Sequence, residues 1–213
     1  MKSFKLTRDE LDLIFKDIAL ELKKKLKGKR FSYEIIVVGG ASILLNYSFR
    51  MSTIDIDCLD MNDALMNEVV NEVGAKYHLP NGWINTDFMK TNSYTDKLIQ
   101  YSVFHKSYCN DTLIVRTICD EYLIAMKMVS ARVYKNDYSD IVGIISENSN
   151  LSFDIIQTAI INLYGDLNLI DKTMIDFVKD IFNKGISNYS ETKKSEEKNR
   201  VEIIKKNKKN KTN

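Results

Sequence analysis

The chain has 213 residues, 44% of them hydrophobic, and a formal net charge of +2 at pH 7; that length suits one substantial domain, or a domain with a helical appendage. No run of about eighteen apolar residues occurs, which excludes a membrane-spanning helix, and Met1 to Lys5 lead into an amphipathic stretch without an apolar signal core. Three cysteines (Cys58, Cys109, Cys119) and two histidines argue against a disulfide framework, a zinc site or a Ser-His-Asp triad. The cysteines read as free thiols of a reducing compartment, the cytoplasm, and any metal must be bound by carboxylates.

Charge is unevenly spread. Asn188 to Asn213 holds nine Lys/Arg and four Glu, leaving 22 basic and 25 acidic residues in the rest of the chain. Few large apolar residues interrupt this basic tail, so residues 188–213 are expected to be disordered or weakly helical. Such a tail either contacts RNA phosphates or is a solvated end.

The first predicted element is a helix. Thr7-Arg8-Asp9-Glu10 has the capping-box pattern, Leu11, Ile14, Phe15, Ile18, Leu22 and Leu26 recur at helical spacing, and Gly28 stops it. Lys23, Lys24, Lys25, Lys27, Lys29 and Arg30 read as its solvated end, suited to the helix dipole. Tyr33 to Val38 is a buried strand, ended by Gly39-Gly40, and 41–47 a short helix. Ile54 to Leu59 alternates as a strand, with Ile54 and Ile56 directed into the core. Asn62 is expected to cap the next helix, which carries Leu65, Val69, Val70 and Val73. Strands are predicted over 98–104 and 112–118 with a turn at Cys109-Asn110-Asp111, then helices over 120–135, 138–146, 152–165 and 171–184. The Glu147-Asn148-Ser149-Asn150 break reads as an internal boundary. The result is an α+β architecture, divided into a core over 1–118, a helical region over 119–187 and the tail.

Three features carry chemistry. Gly39-Gly40-Ala41-Ser42 joins a strand to a helix, where glycines admit a phosphate to the backbone and the helix N-terminus offers unpaired N–H groups. Asp55 and Asp57 are two apart on a strand, so both carboxylates emerge on one face. Their mutual repulsion is relieved by a hard divalent cation, Mg²⁺ or Mn²⁺; an exposed edge strand is the plainer reading. Lys127 is the one charge between Tyr122 and Ala131, and it either snorkels or points into a polar cavity, there neutralising a leaving pyrophosphate. In sequence order these form a cradle, a metal clamp and a charge neutraliser for phosphoryl transfer.

Val37-Val38-Gly39-Gly40-Ala41-Ser42, followed by Arg50-Met51-Ser52-Thr53-Ile54-Asp55-Ile56-Asp57, resembles the signature of nucleotidyltransferase-like proteins of the DNA polymerase β superfamily. The group with AbiEii-type toxins of type IV toxin–antitoxin systems is similar, and the family DUF6036 more so. Leu79-Pro80-Asn81-Gly82-Trp83-Ile84-Asn85 and Leu123-Ile124-Ala125-Met126-Lys127, running on to Arg132 and Asp137-Tyr138-Ser139-Asp140-Ile141, are similar to that family's later motifs. The resemblance spans roughly 33–145 and implies a polymerase β-like fold with a small mixed sheet and a helical C-terminal half. It implies Asp55 and Asp57 as Mg²⁺ ligands, and Gly39, Gly40, Ser42, Arg50 and Lys127 at the nucleoside triphosphate. Asp137 or Asp140 would be a base or an acceptor-side residue. Asp87, Asp96 and Glu121 are candidates for a third metal carboxylate, and Trp83, Tyr94, Tyr101 and Tyr134 either stack a base or belong to the core.

The leading expectation is transfer of a nucleotide from an NTP to a tRNA or protein acceptor, as in the toxin group, with an antitoxin protein as partner. A catalytically silent fold that binds RNA or protein is the second reading, and an antibiotic-modifying transferase the third.

Overall fold

The structure, a computed structural model, describes residues 4–59, 61, 63–185 and 189–209; the Asn62 cap expectation lies outside them. The chain divides into two units between Cys119 and Asp120, and the class is α+β as expected.

The first unit opens with α1 (Arg8–Lys25), whose capping box forms as the sequence predicts: the Thr7 side chain accepts from the Glu10 amide, and Glu10 Oε2 accepts from the Thr7 amide at 2.7 Å. Its apolar stripe, Leu11 to Leu22, is fully buried. Strand β1 (Tyr33–Val38) leads directly into α2 (Gly39–Asn46). Arg8 ties α1 to the far end of α2: its guanidinium donates to Leu44 O at 2.8 Å and to Tyr47 O, occupying carbonyls that the helix leaves open.

Strand β2 is shorter than the alternation suggests, covering Ile56–Leu59, and Ile54, expected in the core, is 53% exposed. The cause is a local clamp. Thr53 exchanges both backbone hydrogen bonds with Leu6, at 2.7 and 2.9 Å, so the chain bends at Ile54 and joins the sheet only at Ile56. Helix α3 (Ala64–Lys76) is capped by Asp63, whose Oδ1 accepts from the Met66 amide at 2.8 Å. Trp83 is buried against α3, where a Cβ on Gly74 would lie 2.6 Å from the indole nitrogen. That placement makes Trp83 a core residue and removes it from base stacking.

Strand β3 (Ile84–Asn85) precedes two 3-10 turns. The second of these, Asp96–Tyr101, occupies most of the segment expected as a strand, and β4 runs instead over Ser102–Tyr108. Strand β5 (Leu113–Ile118) follows a turn in which Cys109, Asn110 and Asp111 all have positive φ. The sheet order is β3-β2-β1-β5-β4, with β1 parallel to β5, β2 parallel to β3, and the other neighbours antiparallel.

The second unit is helical: α4 (Asp120–Ser130), α5 (Asp137–Glu147), α6 (Phe153–Tyr164), α7 (Lys172–Lys184) and α8 (Tyr189–Lys209). The boundary expected at Glu147 to Asn150 falls inside this unit, where α5 ends at Glu147 and a loop follows. Helix α4 stops five residues before the expected end because Ala131 turns left-handed, at φ 42°, and Arg132 N donates to Asp137 instead.

Of the tail expected to be disordered or weakly helical, Tyr189–Lys209 form helix α8. A basic segment with almost no apolar stripe stays helical here because polar side chains dock it. Glu196, 3% exposed, accepts from the Tyr138 amide at 2.9 Å and from Ser139 Oγ at 2.5 Å, at the N-terminus of α5. Arg200 donates to Tyr134 O and Asn136 Oδ1 in the turn before α5. Burial pushes the Glu196 carboxyl up to about 7, and the Asp140 charge adds to it, against the Ser139 and Tyr138 hydrogen bonds. The docked helix therefore keeps a proton between pH 4.5 and 7 that a released helix gives up, so docking weakens as pH rises through this window. Exchange protection of residues 189–209, corrected for intrinsic rates, is expected to be greatest near pH 5 and to fall by pH 8. In Glu196→Gln the profile should be flat. Protection that grows with pH in the wild type would contradict this.

Candidate active site

In the first unit the C-terminal end of β1 gathers most of the predicted residues. Gly39 adopts φ +60°, a conformation that glycine takes without strain. A Cβ there would sit 3.5 Å from Asp57 Oδ2, so the Asp57 carboxylate closes against the corner. The β1–β2 register sets Val38 opposite Asp57, which fixes this approach through the sheet. Gly40 matters for a different reason. A Cβ at that position would lie 2.4 Å from Arg50 Nη2 and 2.8 Å from Cζ, so the guanidinium lies directly over the bare Gly40 backbone. Arg50, Asp57 and the glycine pair are thus brought together by backbone geometry.

Helix α2 starts at this corner with Val38 as N-cap and no side-chain cap. Its N-terminal dipole end carries no acidic residue in the first turn. Ser42, on the same helix, is fully buried, and its Oγ has no hydrogen-bond partner among the described residues. An unsatisfied buried hydroxyl costs about 1–3 kcal/mol, so the fold retains a polar group that its own atoms do not use.

Asp55 and Asp57 are both partly exposed. Backbone contacts set their positions: Thr53 Oγ1 donates to Asp55 O at 3.0 Å, and Ile56 N, between the two, donates to Trp83 O at 2.8 Å. Beside them Cys58 is buried in the core, and burial together with the Asp57 charge pushes its thiol far up, so it is inert. Across β2–β3 the residue in register with Asp57 is Asn85. Its amide donates to Gly82 O and its oxygen accepts from the Asp87 amide. Asp87 is exposed and paired with Lys90 at 2.6 Å, and Asp96 accepts from the Tyr94 hydroxyl. Glu121 lies in the second unit, at the first turn of α4. No cluster of three or more His, Cys, Asp or Glu suited to a metal occurs among the described residues.

The second unit brings Lys127, Asp137 and Asp140 together, in a way that neither snorkelling nor a cavity anticipated. Lys127 Nζ lies 2.8 Å from Asp137 Oδ1 and 2.9 Å from Asp140 Oδ2, with its side chain 10% exposed. Arg132 grips Asp137 through Nε at 2.9 Å and Nη2 at 3.2 Å, and Ser130 Oγ and the Arg132 amide donate to it as well. Burial alone would push the Asp137 carboxyl up; Lys127 and Arg132 outweigh it and hold it far below the usual carboxylate range. Asp137 is therefore a fully coordinated anion unsuited to act as a base. The Lys127 ammonium, expected on a leaving pyrophosphate, is already matched by two carboxylates. The pair at Asp137 and Asp140 was legible as charge near Lys127, but its geometry depends on the left-handed turn at Ala131, which no residue type announces.

Among the described residues no helix is long and apolar enough to cross a membrane. Comparison with curated proteins and with solved structures returns no match. The model of one family, described as a nucleotidyltransferase of unknown function, DUF6036, matches residues 14–196, from within α1 to the docking residue of α8. The chain belongs to that nucleotidyltransferase family.

Proposed function

We propose that the corner formed by Gly39, Gly40, Ser42 and Arg50, with Asp55 and Asp57, binds a nucleoside triphosphate with a divalent cation, and that the protein transfers the nucleotide to a macromolecular hydroxyl. The observation that carries this reading is the buried, unpartnered Ser42 hydroxyl behind an uncapped helix start whose Gly40 is roofed by Arg50. A phosphate accepts hydrogen bonds from all three kinds of donor: hydroxyl, backbone N–H and guanidinium.

Asp55 and Asp57 are oxygen donors that fit Mg²⁺ or Mn²⁺, which such carboxylates hold together with phosphate oxygens. When bound, that ion supplies charge neutralisation on the triphosphate and a lowered pKa at the acceptor oxygen. The chain's own residues orient: the corner holds the phosphates and Arg50 balances their charge. In the transfer, an acceptor oxygen forms a bond to the α-phosphorus, the α–β bridging bond breaks, pyrophosphate leaves and the hydroxyl proton passes to solvent. An RNA such as tRNA, or a protein side chain, is the acceptor proposed, and a toxin role with a protein antitoxin follows the same reading. Asn85 beside Asp57, where a carboxylate would complete a metal cluster, favours a second reading: a fold that binds nucleotide without turnover.

The two readings separate on incubation with cellular RNA and protein, Mg²⁺ and each NTP labelled at the α- or γ-phosphate. Transfer predicts macromolecular label from the α-position alone, lost in Asp57→Asn. Bound NTP with no label incorporated would establish the silent reading.

A further inference from the structure

The opposite end of β1 carries a second cleft that the transfer reaction does not use. About 580 Å³ in volume, it lies between the turn after α1 and the β4–β5 turn, and its walls include Lys23, Lys29, Arg30, Phe31, Asn110 and Asp111. Six strand residues separate it from the glycine corner, about 20 Å at the usual rise per residue.

Its charge differs from that of the rest of α1. Lys24 is paired with Glu21, and Lys25 with Glu68 and Glu72. Lys23, Lys29 and Arg30 are exposed and make no ion pair among the described residues, as does Lys27 beside them. Asp111 is the one acidic residue in the lining. A solvated helix end does not require this sorting, in which acids of α1 and α3 neutralise Lys24 and Lys25 and leave Lys23, Lys29 and Arg30 of the cleft unmatched.

The walls are also fixed. Ser32 Oγ donates to Asp111 O at 2.5 Å, Tyr33 N to Thr112 O at 3.0 Å and Lys29 N to Leu26 O at 3.0 Å. Phe31 stands at the rim, 57% exposed, its ring held by a tilted contact with Tyr33 at 4.8 Å. Exposed aromatic surface next to unmatched cations is the combination that binds an unpaired strand: cations track the phosphates and the ring stacks a base. An acidic peptide would use the cations and leave Phe31 without a role. A duplex keeps its bases stacked out of reach.

We infer that the cleft of Lys23, Lys29, Arg30 and Phe31 binds single-stranded nucleic acid, independently of the nucleotide corner.

The test is fluorescence anisotropy with 5′-labelled U12 and dT12, a 12-base-pair duplex and a poly-glutamate peptide, over a salt series. Lys29→Glu/Arg30→Glu should weaken single-strand binding and flatten its salt dependence by a slope of about 1.4, two phosphate contacts at about 0.7 each. Phe31→Ala should weaken it by about fivefold or more with the slope unchanged. All three positions are exposed, so circular dichroism should match wild type. Preference for U12 over dT12 identifies RNA as the ligand, and equal binding a strand of either kind. Wild-type affinity in both variants overturns the inference, as does equal or tighter binding of the duplex or the peptide. So does loss that appears only in Lys205→Glu/Lys206→Glu on α8. Retention of U12 binding by Asp57→Asn separates this cleft from the nucleotide site, and its loss there overturns the claim of independence.

Discussion

Replacing Gly40 with alanine is expected to lower NTP affinity by about tenfold or more while leaving the protein folded. The new Cβ would meet Arg50 Nη2 at 2.4 Å. Arg50 is the flexible partner, so it swings away and the helix is undisturbed; alanine in fact favours a helix by about 1 kcal/mol over glycine. What is lost is the guanidinium over the corner, and a hydrogen bond to a charged group is worth about 1.5–3 kcal/mol. Isothermal titration with NTP and Mg²⁺, beside urea unfolding, separates the two effects. Unchanged affinity in Gly40→Ala would mean that Arg50 does not touch the nucleotide. Unfolding would mean that the corner is a packing feature.

The second large effect concerns Lys127. Lys127→Met is expected to destabilise the protein by about 3–5 kcal/mol, because it removes the ammonium shared by two buried carboxylates and leaves Asp137 only its Arg132 and Ser130 partners. Asp137 and Asp140 are 0% and 1% exposed, so the desolvation cost stands once the ammonium is removed. Urea unfolding of the single variant and of Lys127→Met/Asp137→Leu/Asp140→Leu tests the point. The triple variant should recover much of the loss, since an apolar replacement of similar volume removes the buried charges altogether. A Lys127→Met protein of normal stability that has lost NTP binding would instead put the ammonium on a phosphate.

These two residues also show what a sequence can and cannot convey. The strand-to-helix corner at Gly39-Gly40 was legible because that chemistry acts over a few residues, whereas the i, i+2 rule applies to Asp57 on β2 and not to Asp55, which precedes the strand. Ile54 broke the alternation through Leu6, a partner 47 positions upstream that pairs with the neighbouring Thr53. The α3 cap is Asp63, a residue type that the capping rule favours as it does asparagine. Lys127 had two plausible environments by periodicity, and the choice depended on where the α4–α5 turn placed Asp137. The α8 segment was read as disordered or weakly helical because its own apolar content is low, whereas Glu196 and Arg200 hold it to α5 and the turn before it, more than fifty residues earlier.

We propose that Gly40, Ser42, Arg50, Asp55 and Asp57 form one NTP–metal site. Titrating the wild type and Asp55→Asn/Asp57→Asn with each of the four NTPs, with and without Mg²⁺, tests it most directly. Binding to the wild type is expected to require Mg²⁺ and to disappear in the double variant, whose fold is retained. Binding that is equal in the two proteins, or that ignores the metal, would contradict it.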